Sequence, residues 1–219
     1  MEDKQAFSFT FKRQKITAEH ILIGITGSIS AAMMVPSIVW LRQSLGIQDI
    51  RVIMTSHAAR IVPPTTISVV TGSKTLVDWS DAEAMDVPHI TLAQWADIIL
   101  VMPATANLLA KVASGIADDL LSTCLLAAEC PVIYATAMNN AMWRKPATQR
   151  NIAQLRADGY HIIDPMAGYA VADGVKNDGA MVAITTVIEQ AVELLNSRAT
   201  TAMSGDNNGK AEASDYTTL

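Results

Sequence analysis

Between Ile21 and Leu41 the chain carries no charged residue, a run long enough to cross a bilayer. Its content argues otherwise. Gly24, Thr26, Gly27, Ser28, Ser30, Pro36 and Ser37 interrupt it, and no dense Leu/Val/Phe run stands in their place. The first twenty residues are polar and carry both charge signs, unlike a secretory signal. The remaining way to accommodate the run is strand, tight turn, helix. Ile21–Ile25 reads as a buried strand, and Gly27 permits a turn that other residues resist. Ser28 or Ser30 caps a helix whose apolar face is Met34, Ile38, Leu41 and Leu45. A strand feeding a helix through small hydroxylated residues is a ready anion site. "GITGSIS" alone leaves that reading and an ordinary turn both open, because it is not a full dinucleotide fingerprint.

The rest of the chain extends this pattern. With 219 residues, half of them hydrophobic and 17% charged, one domain with a sizeable core is expected. A formal net charge of -5 and the lack of a basic stripe exclude a nucleic-acid binder. Cys124 and Cys130 form no disulfide framework and suit a reducing cytoplasm, and the scattered histidines give no support to a metal site. Residues 1–19 read as a polar N-terminal segment, 20–196 as the folded domain and 197–219 as a disordered tail. Strands are expected at Ile21–Ile25, Ile50–Thr55, Ile98–Met102, Val132–Ala135 and His161–Ile163. Helical patterns lie at 31–45, 56–62, 90–96, 106–127 and 148–158. This alternation predicts an α/β fold, a Rossmann-like (flavodoxin-like) parallel sheet with helices on both faces.

Ligands in such folds sit at the carboxyl ends of the strands. Those ends read "GITGSIS", "MTSHAA", "MPATAN" and "ATAMNNAMW". Each is short, small and rich in hydroxyls or amides, which suits a flat heteroaromatic ligand with a phosphate tail. Methionines, however, fill ordinary cores more often than cofactor pockets.

Longer motifs are more specific. "PATANLLAKVASGIADDLLST" (Pro103–Thr123) resembles the PASANT motif of the homo-oligomeric flavin-containing cysteine decarboxylases. "TAMNNAMW" (Thr136–Trp143) resembles their P-x-M-N-x-x-M-W motif, and "VPHITLAQWADIIL" (Val87–Leu100) the segment with their active-site histidine. The resemblance covers roughly residues 20 to 190. It implies an FMN-binding homotrimer or dodecamer with the flavin between subunits; charge and content predict no nucleic-acid or membrane partner, and the one-domain length predicts no fused synthetase. It assigns FMN contacts to Gly27, Ser28, Ser30, Thr55, Pro103, Ala104, Thr105, Asn107, Ser122, Thr123 and Met138. It makes His89 the base that takes the substrate thiol proton, has Asn139 hold the substrate carboxylate or amide, and packs Met142 against substrate and flavin. His57 reads as near the cofactor without being catalytic. For each, the residues alone also allow a bland role: His89 as a surface residue at a helix start, Asn107 and Asn139 as turn residues, Asp118 and Asp119 as a solvated pair.

The chain departs from the family pattern in two places. Thr136 replaces the motif's usual proline. The segment "GYAVADGVKNDGAM" (Gly168–Met181), which reads as a mobile lid, lacks the cysteine that the coenzyme A pathway enzymes carry there. The resemblance therefore implies oxidative decarboxylation of the C-terminal cysteine of a precursor peptide to an aminoenethiol, as in lantibiotic biosynthesis. The alternatives are a phosphopantothenoylcysteine decarboxylase and a non-catalytic FMN-binding regulatory subunit.

Overall fold

A computed structural model describes residues 16–169 and 176–208. The apolar runs form β1 (His20–Ile25), β2 (Asp49–Met54), β3 (Ile98–Ala104), β4 (Val132–Thr136) and β5 (His161–Ile163). They pair in parallel in the order β2-β1-β3-β4-β5. This is the doubly wound order with a switch point between β1 and β3, as expected from the sequence. The helices are α1 (Met34–Leu45), α2 (Ser56–Ala59), α3 (Pro64–Thr71), α4 (Pro88–Trp95), α5 (Ala106–Ala113), α6 (Leu120–Leu126), α7 (Asn140–Trp143), α8 (Pro146–Ala157) and α9 (Ile184–Asn208). Short 3-10 turns span Ile29–Met33 and Trp79–Ala82. Two further strands, β6 (Met166–Tyr169) and β7 (Lys176–Ala180), pair antiparallel outside the main sheet.

Strand alternation divides the core in two. Ile21, Ile23 and Ile25 of β1, with Ile98, Leu100 and Met102 of β3, face Met34, Ile38 and Leu41 of α1 and Val187, Ile188 and Ala191 of α9. Leu22, Ile99 and Val101 face the other way, onto Leu92 of α4, Leu109 of α5, Leu121 and Cys124 of α6 and Leu155 of α8. Each fully buried Ile or Leu contributes on the order of 1.5–3 kcal/mol. Gly24 lets α6 approach β1 closely: a Cβ there would lie 2.9 Å from Leu121 Cδ1. Ile16 and Ala18, at the end of the polar N-terminal segment, are themselves buried in the α1/α9 layer. Among the described residues no helix is long and apolar enough to cross a membrane.

Several expectations need correction. The helical pattern 106–127 is two helices. Gly115 adopts a left-handed φ of 67°, which ends α5, and Asp119 then caps α6 by accepting from Ser122 N at 2.8 Å. Residues 63–77, given no element from sequence, form α3 and an extended segment beside β2, where Met54 N donates to Leu76 O (2.8 Å) and Leu76 N to Val52 O (3.0 Å). The lid is in part a β-hairpin, β6–β7; its tip, with Asp173 and Gly174, lies outside the described residues. The tail expected to be disordered from 197 is helical as far as Asn208. Residues 209–219 lie outside the described residues.

Candidate active site

Where β1 and β3 end side by side, Thr26 joins them. Its hydroxyl donates to Pro103 O (2.6 Å) and accepts from Thr105 N (3.0 Å), and its own amide donates to Pro103 O (3.3 Å). Thr26 is 1% exposed, so its hydroxyl is shielded from water, while Thr105 is half-buried at the cleft wall. The turn beyond it folds back on itself. Ser28 N donates to Thr26 O (2.8 Å), Ser30 N to Ser28 Oγ (3.4 Å) and Ala31 N to Ser28 O (2.8 Å). The amides of Gly27 and Ile29 have no hydrogen-bond partner among the described residues, and unpaired amides in such a turn suit an anion. Gly27 is required by contact, because a Cβ would lie 2.5 Å from His57 Cβ.

These ends open onto a cleft of about 720 Å³, within the range of cofactor sites. One side is polar: Gly27, Ser28, Thr55, Ser56, Thr105 and Asn107. Met54, Leu108, Leu121, Ala137, Met138 and Met142 supply apolar wall. Hydroxyl-bearing and apolar residues lining one cleft suit the two halves of a flavin nucleotide, ribityl phosphate and ring. Lys111 also lines the cleft, but it bonds Asp118 Oδ1 (2.6 Å) and Asp119 Oδ2 (2.8 Å). Its hydrogen bonds to Asp118 and then Asp119 raise its pKa above that of an ordinary lysine. Burial pushes the Asp119 carboxyl up, but Lys111 and the Ser122 amide and hydroxyl outweigh burial and hold it below the usual range. The lysine charge is thus spent within the chain. Asp78 lines the opposite rim, its carboxyl held low by the Ser80 hydroxyl and amide.

Of the residues singled out from sequence, Gly27, Ser28, Thr55, Thr105, Asn107, Met138 and Met142 line this cleft together. Others stand behind it. Ser30 sits in the 3-10 turn. Pro103 offers its carbonyl to Thr26, and Ala104 its carbonyl to Ala137 N (3.0 Å). Ser122 and Thr123 are held by the α6 cap, Ser122 Oγ by Asp119 Oδ1 (2.8 Å) and Thr123 Oγ1 by Asp119 O (2.8 Å). Thr136, in the proline's place, donates its hydroxyl to Ile163 O (2.7 Å), tying β4 to β5. Asn139 is exposed between Met138 and Met142, and its Oδ1 accepts from Ala141 N (2.8 Å) as the cap of α7. His89 is not part of the cleft wall of its own chain. Its ring meets Trp79 edge-on (centroids 5.6 Å apart, 78°), its Nδ1 is buried without a partner among the described residues, and Val87 and Ile90, exposed like Trp79, flank it in sequence. Trp79 directly follows Asp78 of the rim.

Sequence reasoning missed Thr26, Asp78 and Lys111. Thr26 lay inside "GITGSIS", but its bonding to Pro103 is a contact across 77 residues. Asp78 belongs to the segment laid beside β2, and Lys111 stands two turns into a helix. Cys124 and Cys130 play no part in the cleft: burial pushes their thiols up, to about 12 and about 11.

The strand order and the switch-point cleft define a flavodoxin-like α/β protein, and the hydroxyl-bearing and apolar residues that share the cleft suit a flavin nucleotide. The chain belongs to the Flavoprotein family, whose model matches residues 10–196. It is 40% identical over 154 residues to the coenzyme A biosynthesis bifunctional protein CoaBC of Borreliella burgdorferi, a match covering 69% of this chain and 38% of that protein. The chain therefore matches well under half the length of that curated relative. Among solved structures it is similar to the FMN-dependent cysteine decarboxylase SpaF, with 42% identity and a TM-score of 0.73 over 81% of this chain and 97% of SpaF. It also resembles the peptidyl-cysteine decarboxylase EpiD, with 25% identity and a TM-score of 0.67 over 79% of this chain and 98% of EpiD.

Proposed function

We propose that the protein is an FMN-dependent decarboxylase that converts the C-terminal cysteine of a precursor peptide to an aminoenethiol. The observation that carries this is the continuity of the polar turn at Gly27–Ser28 with the Met138–Met142 wall. It supports a reading in which the flavin ring sits beside the segment that resembles the family's substrate motif. The similarity to SpaF, an FMN-dependent cysteine decarboxylase, supports both the cofactor and the cysteine substrate. A carboxylate on a saturated carbon has no electron sink. Bound FMN would supply one by accepting hydride from the carbon next to sulfur, so that carbon dioxide can leave.

The chain's own residues handle the rest. Met142, 49% exposed at the cleft mouth, offers an apolar contact to the cysteine side chain. Asn139, exposed beside it, keeps its side-chain N–H₂ free to hold the substrate carboxylate while its Oδ1 is anchored in the α7 cap. His89 takes the thiol proton. Because His89 lies outside its own chain's cleft, a homotrimer or dodecamer is the assembly that unites the two, the apolar collar of Trp79, Val87 and Ile90 being buried between subunits. The β6–β7 hairpin is tied to the site's edge by Met138 N donating to Gly179 O (3.1 Å).

A second reading has its own support. The CoaBC match favours a phosphopantothenoylcysteine substrate. The absence of cysteine from Gly168–Met181 favours the peptide, because returning hydride to the enethiol needs a proton donor held over it. Peptides ending in free cysteine, in cysteine amide and in serine separate the possibilities. The account expects turnover of the first alone. Turnover of the amide would refute decarboxylation, and exclusive turnover of a small pantothenoyl substrate would favour the coenzyme A reading.

A further inference from the structure

The cleft is poor in available positive charge for a ligand that ends in a phosphate. Asp78 on the 3-10 turn and Asp119 at the cap of α6 bring carboxylates to its wall, and Lys111 of α5 is committed to Asp118 and Asp119. Arg60, at the end of the α2 turn, is not among the lining residues. Among the described residues of the wall, one basic side chain remains uncommitted, His57. It is exposed, lines the cleft, and its side chain makes no hydrogen bond or ion pair with the described residues. It is also rooted against the turn itself, since the space a Cβ would need at Gly27 is taken by His57 Cβ. The missing side chain at Gly27 thus lets the Cβ of His57 stand against the turn whose Gly27 and Ile29 amides have no hydrogen-bond partner among the described residues.

We propose that His57 binds the phosphate of FMN, and that its protonation tightens that binding, so that cofactor uptake by this chain is linked to a proton. The proposal rests on the FMN reading above. Imidazole is the side chain whose charge changes across the neutral range, and a phosphate monoester carries up to two negative charges there. A protonated His57 supplies a charge-assisted hydrogen bond that the neutral ring does not. The site then holds FMN most firmly in mildly acidic solution and releases it more readily as pH rises.

The test is titration of FMN-free protein with FMN and with riboflavin, followed by flavin fluorescence, from pH 5.5 to 8.5. Riboflavin lacks the phosphate and isolates the ring's contribution. Wild type, His57→Gln and His57→Lys are compared at each pH, which cancels the titration of FMN itself. At the acidic end His57→Gln should bind FMN about fivefold more weakly than wild type, the ratio equivalent to roughly 1 kcal/mol for a partly solvated pair. The gap should close toward pH 8.5, where His57→Lys should bind more tightly than either. Riboflavin affinity should be the same in all three. Equal FMN affinities of wild type and His57→Gln at every pH would overturn the proposal. So would parallel loss of FMN and riboflavin, which would mark His57 as a structural residue. Failure of wild type to bind either flavin would overturn the FMN reading itself.

Discussion

Replacing Thr26 by valine tests whether one hydroxyl holds the two strand ends that make the cleft. Valine has nearly the same shape, so packing is kept while two hydrogen bonds are lost, those to Pro103 O (2.6 Å) and from Thr105 N (3.0 Å). The two losses are unequal. Pro103 O retains the Thr26 amide at 3.3 Å, so its cost is that of an ordinary hydrogen bond, about 1 kcal/mol. Thr105 N is left facing a methyl group at a site where residue 26 is 1% exposed. An unsatisfied buried donor costs about 1–3 kcal/mol. The sum, roughly 2–4 kcal/mol, corresponds to a fall in Tm of about 5–12 °C for a domain of this size. Because Gly27–Ser28 and Thr105–Asn107 are what Thr26 holds in register, FMN affinity should fall with it. Thr26→Ser keeps the hydroxyl and should retain most of both. Thermal unfolding by circular dichroism and FMN fluorescence titration on the three proteins provide the readout. A Thr26→Val protein with unchanged Tm and unchanged FMN affinity would refute the reasoning.

Other outcomes follow from the same geometry. Gly27→Ala places a Cβ 2.5 Å from His57 Cβ, so turn or helix must shift; overpacking of this kind costs about 1–3 kcal/mol, read as a lower Tm and weaker FMN retention on gel filtration. Asp119 has a lowered pKa, so its stabilisation is complete above the unfolded carboxylate value of about 3.9 and disappears as pH falls below it. Asp119→Asn should accordingly flatten the acid limb of a Tm-against-pH curve. Cys124 and Cys130, with thiols pushed to about 12 and about 11, should react slowly with a disulfide reagent at pH 8 in native protein and rapidly after unfolding. An inactive His89→Asn and an inactive Asn139→Ala should regain partial activity on co-expression if subunits share sites; no recovery would place both residues in one chain's site.

The main sheet was legible because parallel strands covered on both faces need continuous apolar runs. Ile21–Ile25 and Ile98–Met102 can do little else. The cleft's location followed from the polar strand ends that succeed those runs. What stayed hidden was set by contacts rather than by local pattern. The segment Leu76–Asp78 is fixed by backbone pairing to β2, and nothing in "KTLVDWSD" announces that partner. The break at Gly115 was concealed by apolar residues that recur at helical spacing on both sides of it. The β6–β7 hairpin is built from Gly, Asp and Asn residues that equally suit an open loop. The hydroxyls of Ser122 and Thr123 bond Asp119, a local capping role that composition does not reveal.

The central claim is chemical, and the mass of the product tests it most directly. Protein loaded with FMN is incubated aerobically with a peptide ending in free cysteine, and the peptide is weighed. Oxidative decarboxylation to the aminoenethiol removes carbon dioxide and two hydrogens, a loss of about 46 Da, which is the result the account predicts. A loss of about 44 Da, carbon dioxide alone with the hydride returned, would contradict it.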